Sequence, residues 1–290
     1  MRNINLRETT NNNPLEFHGR ISKYKGHVLS KTLGFYIRPL TVKDCAAMAD
    51  LSESIYDNLK EGQECFIHKH DRKYYREIME KENSDVNFVG AFIGHQLIAM
   101  SNFRMVDNYA DLQEEFPNHK LNIFSKERKL GDVSVAVLGS DSVHPKFRGN
   151  HLNQIMVLYR QNMARHMGAT DVVSIIDRKN VWNMTPYFEN GFNMFSSGID
   201  PADNGKIALM HRPLKDKVER ITGEQEVRHF ENFNQIDKMF YMDRIGVGYD
   251  KENQRIIFAR TDYYAKMKKS NGMTNINLMM MRNSRNAPSL

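Results

Sequence analysis

Arginine and glycine set between an apolar run and an amphipathic one are residue types that can hold phosphate. Here Val143-His-Pro-Lys-Phe-Arg-Gly-Asn-His-Leu152 follows the apolar run Val133 to Leu138 and opens an amphipathic segment, Asn153 to Met167. A strand, a short turn and a helix in that order present main-chain N–H groups to an anion. The first helical turn leaves its donors unpaired, and the helix dipole is positive at that end. Phe147, Arg148, Gly149, Asn150, His151 and Leu152 are therefore candidate contacts for a phosphate-bearing cofactor. The main chain would supply most of the donors and the Arg148 guanidinium a charge-assisted one.

The elements that must position this turn follow from the pattern around it. Phe35 to Leu40 reads as a strand. Thr41 with Asp44 three residues on has the form of a capping box. Ala46, Met48, Leu51, Ile55 and Leu59 then keep helical rhythm. A second helix is expected over about 69–81. Val86 to Ala91 and Gln96 to Met105 form a hairpin turning at Gly94-His95. Residues 106–129 are a long polar connection. A strand over 133–142, a helix over 150–167, a strand over 171–176 and a helix over 181–190 closed by Gly191 come next. Pro186 within that helix should kink it before Tyr187. Strands at 192–196 and 206–212 complete the run. Beyond 215, Glu224 to Tyr241 has helical character and Arg255 to Ala259 strand character. Residues 1–33 read as a weakly ordered extension.

Composition narrows the class. The chain has 290 residues and is 40% hydrophobic, enough for one large or two modest domains with packed cores. No apolar run reaches the ~18 residues of a membrane span. Met1 to Asn13 has no apolar leader core, and two cysteines, Cys45 and Cys65, make no disulfide framework. A cytoplasmic location is expected. The net charge of +6 is uneven. Residues 1–33 hold six Lys/Arg against two Asp/Glu, and 215–290 hold 14 against 10, whereas 34–214 hold 21 against 23. The basic tail beyond Asp262 is a possible contact for an anionic partner. Cys65, His68 and His70 have zinc-ligand types, but no second pair completes a metal site; no metal is expected.

The element order from residue 35 (β-α-α-β-β-β-α-β-α-β-β), with the phosphate turn, resembles the GCN5-related N-acetyltransferase family over about 38–214. Three segments carry the resemblance. Ile37-Arg-Pro-Leu-Thr-Val-Lys-Asp44 is similar to the family's opening strand and first helix. Val143 to Leu152 is similar to its pyrophosphate segment. Asn180-Val-Trp-Asn-Met-Thr-Pro-Tyr187-Phe-Glu-Asn-Gly191-Phe192 is similar to its second coenzyme A segment. The chain departs from the family signature, which counts from Arg148, by placing His151 and Asn153 at its two glycine positions. Glycine permits the closest approach of backbone to phosphate, so the cradle is expected to be reshaped.

The resemblance implies an α/β (α+β) fold with a mixed, mostly antiparallel central sheet flanked by helices. It implies an acyltransferase domain over 34–214, with an extension at 1–33 and an extension or small subdomain with a basic tail at 215–290. It implies acetyl-CoA as donor and a primary amine, on a small molecule or a protein, as acceptor; a homodimer is possible. Val143 would pair with the pantetheine arm, Asn180 would contact the cofactor, and Tyr187 would protonate the leaving thiolate. Asp141, on the same strand face as Val143, is the candidate base, with Asp132, His144, Asp177 or a water relay as rivals. The alternative is a catalytically inactive module of this fold that binds acyl-CoA or serves regulation.

Overall fold

A computed structural model describes residues 17–59, 69–81, 84–106, 112, 134–199, 205–214, 225–242 and 244–261. They fall into two compact units. One comprises the described residues up to Met105 together with Val137–Met167; the other comprises those of Val106–Ala136 and from Gly168 onward.

In the first unit the strand order is β1-β2-β3-β4-β5. The strands are β1 (Phe17–Tyr24), β2 (His27–Pro39), β3 (Val86–Ile93), β4 (Gln96–Val106) and β5 (Val135–Val143). The β1/β2, β2/β3 and β3/β4 pairs are all antiparallel. Helices α1 (Cys45–Tyr56) and α2 (Arg72–Glu80) bury Met48, Leu51, Ile55 and Tyr75 against Phe88, Phe92 and Leu97. The expected capping box is present: the Asp44 carboxylate accepts from the Thr41 N–H at 2.8 Å and is held by both terminal nitrogens of Arg38. Helix α3 (Leu152–His166) follows β5 and ends at Gly168, which is left-handed at φ 92°.

Of residues 1–33, read as weakly ordered, the described part from residue 17 forms β1, a turn and the start of β2. Lys25 and Gly26 are both left-handed (φ 48° and 81°) and turn β1 into β2. That is the two-residue connection whose twist matches a hairpin.

In the second unit the order is β6-β8-β7-β10-β11-β9. Its strands are β6 (Asp171–Asp177), β7 (Asn193–Ile199), β8 (Lys206–Pro213), β9 (Glu226–His229), β10 (Ile245–Asp250) and β11 (Arg255–Ala259). Every pairing between them given a register is antiparallel. Helix α4 (Val181–Glu189) contains Pro186 as expected, and α5 (Phe233–Tyr241) buries Ile236 and Met239. The helix expected over 224–241 is thus a strand followed by a shorter helix. The break comes at Asn232, whose side chain caps α5 by accepting from the Gln235 N–H. Within the described part of residues 215–290, β10 pairs with β7. The architecture is mixed α/β with a mostly antiparallel sheet, as expected. No described helix is long and apolar enough to cross a membrane. The polar connection at 106–129, apart from 106 and 112, lies outside the described residues. So do Asp132, Cys65, His68 and the basic tail.

Candidate functional site

The phosphate turn is built by alternating anchors. Phe147, Asn150 and Leu152 point inward, whereas Arg148, Gly149 and His151 are exposed. Phe147 is 3% exposed and meets Tyr24 edge-on at 5.2 Å, and Leu152 is 2% exposed. These two side chains hold the turn from below, so only their main chain is available to an anion.

Asn150 is the central fastener. Its Oδ1 accepts from the N–H groups of Ser22 and Lys23, each at 2.9 Å. Its Nδ2 donates to Lys23 O at 2.8 Å and Phe147 O at 2.9 Å. The strand irregularity between Ile21 and Lys23 frees those two main-chain donors for the task. The Lys25 N–H adds a bond to Lys146 O at 2.6 Å. The β1–β2 hairpin is therefore tied to the turn along one edge. The sequence reading placed Asn150 among the phosphate contacts; its amide is fully engaged, leaving its N–H for that purpose.

Above this base, Gly149 and His151 both adopt the left-handed region, at φ 80° and 59°. The main-chain N–H groups of Gly149, His151 and Leu152 donate to no acceptor among the described residues. A Cβ at Gly149 would meet only the end of the Lys23 side chain, at 3.8 Å, so the face is open. His151 takes up the backbone conformation a glycine would adopt, with its side chain in solvent. The left-handed region costs a β-carbon-bearing residue about 1–2 kcal/mol. His151→Gly should accordingly leave the melting temperature level or raise it, and tighten acetyl-CoA binding several-fold by calorimetry. Weaker binding would instead make the imidazole a ligand.

The strand end is fixed from two sides. Val143 O accepts from Arg148 Nε at 3.4 Å, and the next residue, His144, donates its N–H to Ile98 O at 2.9 Å. His144 Nδ1 accepts from the Lys146 N–H at 3.1 Å, and its Nε2 lies 3.3 Å from Ser54 Oγ. Burial, then the nearby Lys146 and Arg148 charges, hold the imidazole below its ordinary pKa. His144 is thus neutral at physiological pH with its lone pair already occupied, which suits a turn cap and not a base.

Asp141, near the end of β5, is held by a buried ion pair. Arg160, with a fully buried side chain, donates through Nη2 at 2.5 Å to the Asp141 carboxylate, which also accepts from Ser101 Oγ at 2.7 Å. The same guanidinium donates to Asn102 O at 2.9 Å and Gly139 O at 3.2 Å. A Cβ at Gly139 would sit 1.8 Å from Asn102 Oδ1, so the Asn102 side chain would have to shift to admit one. The geometry thus places Asp141, the candidate base, in a buried ion pair.

The remaining two candidates belong to the second unit. Asn180 caps α4, its side chain accepting from the Asn183 N–H at 3.3 Å. Tyr187 is 1% exposed and packs edge-on against Phe192 with centroids 5.0 Å apart. Asp177 accepts from the Lys179 N–H at 2.7 Å and closes the strand end. The feature sequence reasoning missed is the hairpin under the turn; Lys25-Gly26 between two strand-like runs was its one local signal.

The chain is similar in fold to N-acetyltransferases. Among them are the ribosomal-protein-S18-alanine N-acetyltransferase of Escherichia coli (11% identity, TM-score 0.44, 65% of this chain and 99% of that one) and the PaiA N-acetyltransferase of Thermoplasma acidophilum in complex with coenzyme A (15%, 0.43, 62% and 98%). A third is NAA60 of Arabidopsis thaliana in complex with acetyl-CoA (12%, 0.46, 63% and 99%). No protein-family model matches the sequence, and no curated protein matches it.

Proposed function

We propose that the chain is an acyl-CoA-dependent N-acyltransferase that moves acetyl from acetyl-CoA to a primary amine of a small molecule or a protein. The observation that carries this reading is the open, left-handed turn at Gly149 and His151, with unengaged N–H groups at the head of α3. Such a cradle fits a diphosphate. Arg148, exposed beside it, would add a charge-assisted contact.

In the proposed reaction the amine nitrogen attacks the thioester carbon, the carbon–sulfur bond breaks, and the sulfur is protonated as it leaves. Tyr187 is assigned the acid role by its place in the second coenzyme A segment. With Asp141 ion-paired and the His144 lone pair engaged, the ammonium proton leaves through water. Tyr187→Phe keeps the contact with Phe192 and removes the hydroxyl; kcat should fall about ten- to hundredfold with acetyl-CoA affinity near wild type. Unchanged turnover would remove Tyr187 from the mechanism.

The engagement of Asp141 and the burial of Tyr187 favour one second reading, a module of this fold that binds acyl-CoA without turnover. Release of free thiol across a panel of amines separates the two. The transferase predicts thiol with at least one amine class, whereas the module predicts calorimetric binding of acetyl-CoA and no thiol with any. No binding at millimolar acetyl-CoA would overturn both.

A further inference from the structure

We propose that the second unit holds a separate site for a small-molecule oxyanion, built by Arg178, Lys206 and the start of α5. The inference does not depend on the transferase reading.

Arg178 follows β6, and its N–H bonds to Lys206 O at 2.8 Å across to β8. Two cations therefore stand on neighbouring strand ends, with one carboxylate, Asp237, paired to the first. The Arg178 side chain is 2% exposed. Nη1 donates to Asp237 Oδ1 at 3.1 Å, yet Nε and Nη2 are buried with no hydrogen-bond partner among the described residues. Those two nitrogens share one edge of the guanidinium. Their N–H bonds run side by side at the spacing of two oxygens on one carboxylate or phosphate. A buried fork left empty is costly, and what it lacks is a bidentate oxyanion.

The surroundings suit that occupant. Phe233, the first residue of α5, has the Arg178 guanidinium carbon 4.2 Å and Lys206 Nζ 4.3 Å from its ring centroid. Phe233 also lines a cavity of about 470 Å³ with Lys206, His229, Glu231, Asn232 and Asn234. Two of the nearby acids are committed: Asp237 serves Arg178 and accepts from Ser197 Oγ at 2.5 Å, and Asp177 holds the Lys179 N–H. The third, Glu231, is exposed at the cavity, 3.8 Å from His229 Nδ1. Lys206 is exposed at the mouth, and Phe233 must shift to admit the ligand to the fork.

The test is a titration of the full chain with inorganic phosphate and, separately, succinate at constant ionic strength, following the Arg178 Nε–H resonance by ¹⁵N NMR. Its assignment comes from its loss in Arg178→Gln. A saturable downfield shift is expected with at least one anion. Lys206→Ala, at an exposed position, should weaken that binding about fivefold, and Arg148→Gln should leave it unchanged. Saturation by phosphate alone identifies a phosphate site, and by succinate alone a carboxylate site. Saturation by neither, or a Lys206→Ala titration equal to wild type, overturns the proposal.

Discussion

Asn150→Ala should lower the stability of the chain by about 2–4 kcal/mol and weaken acetyl-CoA binding about tenfold. The variant deletes four hydrogen bonds at once. It also leaves the buried Phe147 carbonyl without its donor, and leaving a buried group unmade costs more than a bond contributes. For a chain of this size the expected fall in melting temperature is roughly 5–12 °C. Binding weakens because the turn above loses its support: the donors stay in place chemically but are no longer held in one geometry. Asn150→Asp keeps the acceptor for both N–H groups but turns a carboxylate oxygen onto the carbonyls of Lys23 and Phe147 and places a negative charge beneath the anion, so stability and affinity should each fall at least as far. A melting temperature within a degree of wild type, with unchanged calorimetric affinity, would show that the hairpin does not support the turn.

Arg160→Met has the largest expected cost, about 3–5 kcal/mol, because it leaves the buried Asp141 carboxylate without its cation. Three carbonyl contacts, including the 3.3 Å bond to Met156 O in its own helix, go with it. Urea denaturation measures the loss. Adding Asp141→Asn to the Arg160→Met chain should restore part of it, since the penalty is chiefly that of an uncompensated charge. Additive losses in the double variant would mean the two residues act independently. Asp141→Asn alone also addresses chemistry. At a temperature where it remains folded, the acidic limb of the kcat/KM profile should persist. Disappearance of that limb would return Asp141 to the role of base.

The parts of this molecule legible in its sequence are those with an apolar face. The α1 rhythm of Met48, Leu51 and Ile55 appears as a buried stripe, and β3, β4 and β6 are where their β-branched and aromatic runs placed them. The strands that escaped notice lack such a face. β1 buries only Ile21 and β9 buries nothing, and each lies at one end of its unit's strand order. A strand with two polar faces has no alternation to detect. β10 carries Gly246 and Gly248, which read as turn residues. At the site, the turn was visible because strand, arginine, glycine and helix are contiguous. The engagement of Asp141 by Arg160 and the seating of Asn150 were not, because the partners are set by packing and lie 19 to 128 residues away.

That last separation bears on how the protein is made. Ser22 and Lys23 leave the ribosome long before Asn150 exists, and synthesis across the separation of 127 or 128 residues takes on the order of 6–26 s. During that interval the first hairpin is held only by the pairing of β2 with β3. Closing the gap afterwards carries an entropic penalty of about 4 kcal/mol. The ligand cradle should therefore be among the last features of its unit to mature, and a nascent chain halted before residue 150 would expose an unsecured ribbon to chaperones.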